Sequence, residues 1–217
     1  MIKAVNLSKK FASSFALRDV TLEIGKGKVA ILGFNGAGKS TFVRLICGQL
    51  KPTSGKILVL GSEPYRNPNV RRKIGVVTHN LMLYEELTVE ENLQFYAKIY
   101  RVSQENVRRV MEDLEIFGLR DERVTNLSGG LKQRVAVARA IMVNPEILIM
   151  DEATSGLDVN SRRWLLNFLE DYKSCLIYTT HIVDEAEFCE KYLVLESGRV
   201  KYFGSRYKKA LEALNVS

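Results

Sequence analysis

Residues 33–41 read Gly-Phe-Asn-Gly-Ala-Gly-Lys-Ser-Thr, which matches the phosphate-binding pattern G-x-x-x-x-G-K-[ST]. An apolar run precedes the match and a segment of helical character follows it, so strand, glycine loop and helix come in the required order. Glycines let backbone N–H groups turn toward an anion at a helix N-terminus. We expect Lys39 to reach the β- and γ-phosphates of a nucleotide and the Ser40 hydroxyl to bind Mg²⁺. The residues expected to contact the nucleotide are Asn35, Gly36, Ala37, Gly38, Lys39, Ser40 and Thr41.

Two adjacent carboxylates, Asp151 and Glu152, follow a second apolar run at 147–150. A short run of this kind predicts a central parallel strand, and open α/β sheets bind ligands at the carboxyl ends of such strands. Buried carboxylates are costly unless a cation pairs with them. We therefore expect Asp151 to hold Mg²⁺, through water, and Glu152 to orient or deprotonate an attacking water.

Histidines follow two further predicted strands. His181 comes after the segment 174–178 and two threonines, and His79 comes after the segment 73–77 and one threonine. A lone histidine is more often structural than catalytic. Because His181 follows a second strand end, we expect it to reach the γ-phosphate.

Ser128, Gly129 and Gly130 precede a predicted helix that Pro145 terminates. Two glycines at a helix N-terminus form a second possible anion site for the same physical reason as the first. The alternative is a helix cap with spare glycines, and on this tripeptide alone it is the better interpretation.

The N-terminal segments 2–7 and 17–24 predict antiparallel strands. The loop predicted between them is rich in Ser and Ala and contains Phe11 and Phe15. Either ring could stack on an adenine or cover a sheet edge, and the spacing does not decide between these roles.

Two helices are predicted in succession, and the absence of a strand between them indicates an inserted helical subdomain. The first, 88–100, opens with a capping box of Thr88 and Glu91, and the second, 104–117, is closed by Gly118. Later segments predict a helix with Ser161 as candidate cap, a hairpin of strands 192–196 and 199–203, and a helix around 207–214.

Composition limits the class of protein. The 217 residues are 46% hydrophobic and 26% charged, which is ordinary globular composition. Three cysteines without C-x-x-C spacing, which we interpret as buried small hydrophobes, favour neither a metal site nor disulfides and fit a reducing compartment. No apolar run approaches the ~18 residues that span a bilayer, so a cytoplasmic location is expected. The net charge of +7 comes from scattered basic residues, which predicts a solvated basic surface and no nucleic-acid partner.

Taken together, these motifs resemble those of the ATP-binding cassette (ABC) ATPases, the nucleotide-binding domains of ABC transporters. The resemblance covers nearly the whole chain. It rests on five segments in order, which are the phosphate loop 33–41, the signature Leu127-Ser128-Gly129-Gly130, the Walker B run 147–152, the D-loop 155–158 and the switch His181.

The resemblance implies an α/β fold with a P-loop NTPase (RecA-like) core, a mainly parallel central sheet, an N-terminal antiparallel β subdomain and an inserted α-helical subdomain. It implies one ABC ATPase domain over 1–217. The core and its antiparallel subdomain take 1–84 and 126–217, the insertion takes 85–125, and the signature helix follows at 127–143.

The resemblance also implies a head-to-tail dimer around two ATP molecules. In such a dimer Phe11 stacks on adenine, and Ser128, Gly129 and Gly130 bind the γ-phosphate held by the other subunit. Asp158 links the two sites. The catalytic residues implied are Glu152, His181 and Lys39, and the insertion faces the membrane subunits.

Two positions depart from the family pattern. Leu131 stands where the signature usually has Gln, which the helix tolerates because backbone N–H groups and Ser128 make the phosphate contacts. His79 stands at the position of the Q-loop glutamine, and imidazole is a poor direct ligand for Mg²⁺. Either His79 acts through water, or Asn80 supplies a carbonyl after a one-residue shift. The metal-site residues are then Ser40, Asp151 and His79.

We therefore expect an ATP-hydrolysing subunit with ATP and Mg²⁺ as cofactors. Its expected partners are a second ABC ATPase subunit, identical or different, and integral-membrane permease subunits that attach it to the inner face of the cell membrane. The His at the Q-loop position looks like that of some exporter-type cassettes, so export is favoured. The alternative is a soluble ABC ATPase acting on nucleic acid or ribosomes, and a P-loop kinase would leave the signature and His181 without a role.

Overall fold

The computed structural model describes residues 1–215, which contain nine β-strands and seven α-helices. The strands are β1 (Ile2–Phe11), β2 (Ser14–Ile24), β3 (Lys28–Leu32), β4 (Ser54–Val59), β5 (Ile74–Thr78), β6 (Ile147–Asp151), β7 (Cys175–Thr180), β8 (Lys191–Glu196) and β9 (Arg199–Gly204). The helices are α1 (Lys39–Ile46), α2 (Pro68–Arg71), α3 (Val89–Tyr100), α4 (Gln104–Asp113), α5 (Gly129–Ile141), α6 (Val159–Asp171) and α7 (Tyr207–Ala213).

A six-stranded sheet of order β5-β6-β7-β3-β8-β9 forms the centre of the fold. Its first five strands are parallel, and β9 pairs with β8 in the predicted antiparallel hairpin. Every residue of β6 and β7 is buried, as expected for central parallel strands covered on both faces. The predicted α/β class with a mainly parallel sheet is therefore confirmed.

The strand register brings several chain segments to one edge of this sheet. Asp151 of β6 pairs with Thr78 of β5 on one side and with Thr179 of β7 on the other, and Leu32 of β3 pairs with Thr180. The loops that follow these strands therefore begin next to one another. The phosphate-binding loop, Glu152 and His181 all belong to those loops.

A second sheet of order β2-β1-β4 is antiparallel, as predicted for the N-terminal segments. Its hairpin is tighter than the sequence suggested, because β1 reaches Phe11 and pairs it with Ser14. Only Ala12 and Ser13 remain between the strands, and Ala12 adopts a left-handed φ of 46° that closes the turn. Phe11 and Phe15 lie in strands, so the prediction of a longer loop there was wrong.

Two apolar clusters pack against opposite faces of the central sheet. Along β6, Leu148 and Met150 belong to the cluster beneath helices α3 to α7, and Ile147 and Ile149 belong to the cluster shared with α1 and the antiparallel sheet. This alternation is the period of two that a strand imposes. The fold therefore has three layers, with the parallel sheet in the middle.

The helices between β5 and β6 differ partly from expectation. The capping box of α3 is present, since Thr88 Oγ1 accepts from Glu91 N at 3.1 Å and the Glu91 carboxylate accepts from Thr88 N at 2.8 Å. Helix α4 ends at Asp113, because Glu115 turns left-handed with φ 58°, and a separate 3₁₀ turn covers Phe117–Leu119. The prediction of one helix to Phe117 was wrong.

The three cysteines are free and buried, as predicted. Burial raises the pKa of Cys47 to about 12, so its thiol stays protonated near neutral pH. Within residues 1–215, every helix falls short of the length and apolar character that crossing a lipid bilayer requires.

Candidate nucleotide site

The phosphate-binding loop turns sharply between β3 and α1. Gly36 and Gly38 have φ values of 82° and 106°, and α1 begins at Lys39, so its first N–H groups point into the loop. A Cβ on Gly38 would lie 2.5 Å from the carbonyl oxygen of Ala16 in β2. Only glycine combines this left-handed backbone with the close approach of the neighbouring strand.

Lys39 is the centre of the site. Its side chain is only 3% exposed, its Nζ donates to Gly33 O at 2.7 Å, and it forms an ion pair with Glu152 Oε1 at 3.1 Å. A buried ammonium is costly without such partners. Its Nζ also donates to Phe34 O at 3.4 Å, so two backbone carbonyls and one carboxylate hold the ammonium at the mouth of the loop.

Asp151 and Ser40 form a set of hard oxygen ligands beside Lys39. Asp151 is 6% exposed, and its Oδ1 accepts from Thr179 Oγ1 at 2.6 Å and from Ser40 Oγ at 3.4 Å. A carboxylate at the end of β6 and a hydroxyl in the first turn of α1 are donors of the kind that Mg²⁺ uses beside nucleotide phosphates. The donor chemistry here fits Mg²⁺. Thr179 was not among the predicted site residues, although its place at a strand end was visible in the sequence.

Glu152 has a left-handed backbone, with φ 51°. Such a conformation costs a non-glycine residue about 1–3 kcal/mol and persists where the surroundings fix it. Thr179 fixes it here, because Glu152 N donates to Thr179 O at 3.1 Å and to Thr179 Oγ1 at 3.0 Å. The turn directs the Glu152 carboxylate toward Lys39.

His181 and His79 lie on opposite sides of the two carboxylates. The exposed His181 lines a cavity of ≈ 140 Å³ together with Glu152. The exposed His79 lines a second cavity, of ≈ 240 Å³, together with Ser40 and Asp151.

A hydrogen bond holds the Asn80 side chain, whereas the His79 side chain has none within residues 1–215. The Asn80 side-chain oxygen accepts from Met82 N at 3.1 Å, and this bond ties it into a turn. The His79 side chain makes no hydrogen bond with residues 1–215. Of the two candidate replacements at this position, His79 is the freer to approach a ligand.

Ser128, Gly129 and Gly130 begin helix α5. Ser128 is its N-cap, accepting from Leu131 N at 3.3 Å, and both Ser128 and Gly129 are exposed. No hydrogen bond within residues 1–215 joins these three residues to the phosphate-binding loop. In one chain Ser128 and Gly129 form an exposed surface of their own, and Gly130 beside them is buried.

Asp158, and not Ser161, caps helix α6. Its Oδ1 accepts from Asn160 N and Ser161 N, both at 3.0 Å, and its Oδ2 accepts from Ser161 Oγ at 2.6 Å. The prediction of Ser161 as cap was wrong, because Ser161 is itself held by the cap. These hydrogen bonds from Ser161 lower the pKa of Asp158 below its ordinary value.

Phe11 lies at the tip of the β1–β2 hairpin with 43% of its surface exposed. Lys9 Nζ lies 5.1 Å from the centre of its ring. The same hairpin carries Ala16, whose carbonyl approaches Gly38. The exposed ring therefore belongs to an element that packs directly on the phosphate-binding loop.

The contact between Gly130 and Ser161 gives a first prediction. A Cβ on Gly130 would overlap Ser161 Oγ and lie 2.6 Å from Ser161 Cβ. Ser161 cannot rotate away without breaking its bond to Asp158, so we expect Gly130→Ala to lower the free energy of unfolding by about 1–3 kcal/mol. Gly129→Ala is the matched control, since no atom lies within 4 Å of that Cβ. Urea denaturation of both variants measures the difference, and equal stabilities would contradict it.

The Asp158 cap gives a second prediction, on how the stability of the fold depends on pH. Because the pKa of Asp158 is lower in the folded chain than its unfolded value of about 3.9, the charged carboxylate stabilises the fold at pH values above about 3.9. This stabilisation is lost as the pH falls through the lower, folded-state pKa. We expect Asp158→Asn to be less stable than wild type near neutral pH, with a gap that shrinks below about pH 4. Asp171→Asn, at the exposed far end of α6, is the control. Denaturation midpoints across this pH range provide the measurement, and a gap independent of pH would contradict the assignment.

Comparisons with known proteins agree on one family. A family model described as ABC transporter matches residues 17–155. The chain is 37% identical over 232 aligned residues to the ABC transporter ATP-binding protein NatA of Bacillus subtilis, covering 100% of this chain and 92% of that protein. It is 40% identical to the Nod factor export ATP-binding protein I of Rhizobium johnstonii, covering 91% and 67%. Matched relatives include proteins named for export and for import.

A solved structure indicates the same family. The dimeric post-hydrolysis state of the ATP-binding cassette MJ0796 bound to ADP and Pi superimposes with a TM-score of 0.83 at 30% identity, covering 94% of this chain and 98% of that one. The chain therefore belongs to the ATP-binding subunits of ABC transporters, which bind and hydrolyse ATP.

Proposed function

We propose that this chain is the ATP-hydrolysing subunit of an ABC exporter, working as a head-to-tail dimer and attached to membrane permease subunits at the inner face of the membrane. One observation carries the proposal. Lys39, Asp151 and Glu152 meet at the carboxyl edge of the sheet, while the Ser128–Gly130 segment makes its contacts elsewhere. A site split in this way calls for a second subunit.

Lys39 binds the transferred phosphate. Its ammonium, now shared among Gly33 O, Phe34 O and Glu152 Oε1, needs only a side-chain rotation to donate to β- and γ-phosphate oxygens. Asn35, Gly36, Ala37, Gly38, Ser40 and Thr41 surround the phosphates from the loop and from the start of α1. Phe11 stacks on the adenine.

Ser40 and Asp151 would hold Mg²⁺, with His79 acting through water. When bound, Mg²⁺ neutralises charge on the β- and γ-phosphates. Thr179 keeps the Asp151 carboxylate in place through its 2.6 Å hydrogen bond. This arrangement fixes the metal-binding oxygens before nucleotide arrives.

Glu152 is the general base in our proposal. Once Lys39 turns to the phosphates, the Glu152 carboxylate is free to accept a proton from a water attacking in line with the γ-phosphate. Its left-handed turn, fixed by Thr179, holds the carboxylate at the required place. His181, on the other wall of the same cavity, contacts the γ-phosphate and senses its loss.

The exposed start of α5 completes the site of a second subunit. Ser128, Gly129 and Gly130 present a hydroxyl and backbone N–H groups at a helix N-terminus, which suits a γ-phosphate. Asp158 holds Ser161 by a hydrogen bond, and Ser161 is packed against Gly130, so Asp158 is linked to the start of α5 by one hydrogen bond and one packing contact. The dimer closes on ATP and opens after hydrolysis.

The insertion 85–125 faces the permease in this proposal. An exposed apolar surface at its edge supports this, with Tyr84 48%, Phe95 39% and Ile99 52% exposed. Tyr84 and Phe95 pack edge to face at 4.9 Å. Such a patch on a monomer is typical of a protein interface. We treat 1–84 and 126–217 as the nucleotide-binding part of one ABC ATPase domain.

Replacing the general base tests the mechanism. Glu152→Gln keeps the size of the side chain and removes its basicity, so we expect ATP hydrolysis to fall by about 10²–10⁴-fold. ATP binding is retained, and the dimer accumulates at saturating ATP.

Glu146→Gln, in the exposed pair with Lys73, is the control. Steady-state turnover and light scattering with ATP measure both effects. Turnover within tenfold of wild type would exclude Glu152 as the base, and a monomer at saturating ATP would contradict a homodimer.

Affinity capture tests the transporter assignment. Tagged protein isolated from solubilised native membranes should retain a polytopic membrane protein, identified by mass spectrometry. Ile99→Lys, which charges the exposed patch, should lose that partner while keeping its ATPase activity. Recovery of ribosomal or nucleic-acid-bound partners alone would leave the ATPase chemistry standing and overturn the transport assignment.

A further inference from the structure

A buried carboxylate, Glu185, lies behind the cavity shared by Glu152 and His181. Glu185 is 6% exposed, yet three of its partners, Thr154, Arg162 and Thr180, line that cavity. A buried carboxylate is costly unless hydrogen bonds and a cation satisfy it. The proposed mechanism assigns Glu185 no role.

Three hydroxyl groups converge on one oxygen of this carboxylate. Glu185 Oε2 accepts from Tyr178 OH at 2.6 Å, from Thr154 Oγ1 at 2.8 Å and from Thr180 Oγ1 at 3.0 Å. Burial, together with the hydrogen bond to Glu185, raises the pKa of Tyr178 well above its ordinary value, so the phenol remains a donor. Oε2 thus has three donors in a fixed geometry.

These donors come from both segments of the catalytic site. Thr154 lies two residues after Glu152, and Thr180 immediately precedes His181. One carboxylate oxygen therefore links the loop of the proposed base to the segment of the proposed switch histidine. The link passes through side chains and is additional to the pairing of β6 with β7.

The other oxygen of Glu185 connects to helix α6. Its Oε1 lies 3.5 Å from Arg162 Nε, and neither atom forms a hydrogen bond within residues 1–215. This separation exceeds the about 2.7–2.9 Å of a charge-assisted hydrogen bond. Arg162 follows Ser161, which Asp158 holds and which packs against Gly130. A small displacement of α6 would close the gap between the two charged atoms.

We propose that Glu185 is a positioning residue that fixes Glu152 and His181 relative to each other and couples both, through Arg162, to the position of α6. The proposal rests on the roles given to Glu152, His181 and Asp158 under the proposed function. Closure of the dimer at Asp158 and Gly130 would then be transmitted to the hydrolytic residues by one buried ion pair.

The test separates turnover from binding and from folding. Glu185→Gln keeps an oxygen for the hydroxyl donors and removes the charge that attracts Arg162, and Thr154→Val removes one donor at nearly constant volume. For both variants we expect kcat for ATP hydrolysis to fall by about tenfold or more, because small misplacements of reacting groups are costly. KM for ATP stays within about twofold, since the phosphate-binding loop is untouched.

Matched variants control for structure. Glu187→Gln makes the same change two residues away on an exposed side chain and should behave as wild type. Thr154→Ser retains the hydroxyl and should recover most of the kcat that Thr154→Val loses. All rates are measured well below the melting temperature of each variant, so that loss of folded protein does not lower kcat. If Glu185→Gln fails to fold, Thr154→Val and Arg162→Met each carry the test.

Two outcomes would overturn the proposal. If Glu185→Gln or Thr154→Val melts at a lower temperature but keeps kcat within about twofold of wild type, the cluster only stabilises the fold. If Arg162→Met leaves kcat unchanged, the coupling to α6 is wrong. Glu152→Gln and His181→Ala, measured in parallel, show whether the underlying catalytic roles hold, so a failure of those roles is distinguishable from a failure of this inference.

Discussion

The buried ammonium of Lys39 is the interaction on which the rest of the site depends. At 3% side-chain exposure it needs compensating oxygens, and the strand register supplies them. Gly33, directly after β3, supplies a carbonyl, and Glu152, directly after β6, supplies a carboxylate, with β7 lying between the two strands. The glycine loop, the left-handed turn at Glu152 and the position of Thr179 all bring oxygens to one cation. On nucleotide binding, phosphate oxygens would replace the Glu152 carboxylate as the anionic partner of Lys39.

The three buried or half-buried carboxylates near the sheet edge differ in their partners, and the partners set what each can do. Asp151 accepts from hydroxyl groups of Thr179 and Ser40, which leaves lone pairs for a metal ion. Glu152 faces an ammonium that can move to a phosphate, so its carboxylate can become free. Glu185 accepts three hydroxyl hydrogen bonds at one oxygen and remains fixed. One chemical group, the carboxylate, is therefore suited to three different purposes.

Much of this arrangement follows from the sequence, and the exceptions have physical reasons. The apolar runs before Gly33 and Asp151 predict parallel strands, and parallel strands place their following loops at one edge. The ends of some strands and helices were harder to predict from the sequence, because a left-handed residue such as Ala12 or Glu115 ends an element without a glycine or proline to mark it. The Glu185 cluster was invisible, because its segment reads as a run of exposed charges. Two of its donors, Tyr178 and Thr180, lie in β7, but Thr154 lies in the turn after β6 and is brought to Glu185 only by the tertiary structure.

The two helix starts that we propose to bind phosphate also differ in how they are packed, which bears on how a dimer could switch. The start of α1 is closed in by Ala16 and by the buried Lys39, so its shape is set by the core. The start of α5 is exposed, and its contact with the rest of the chain at Gly130 is made through the Asp158 cap of α6. Movement of α6 therefore shifts the α5 surface more readily than the phosphate-binding loop. In the proposed dimer, the nucleotide would therefore stay in a fixed phosphate-binding loop while the surface that meets the second subunit moves.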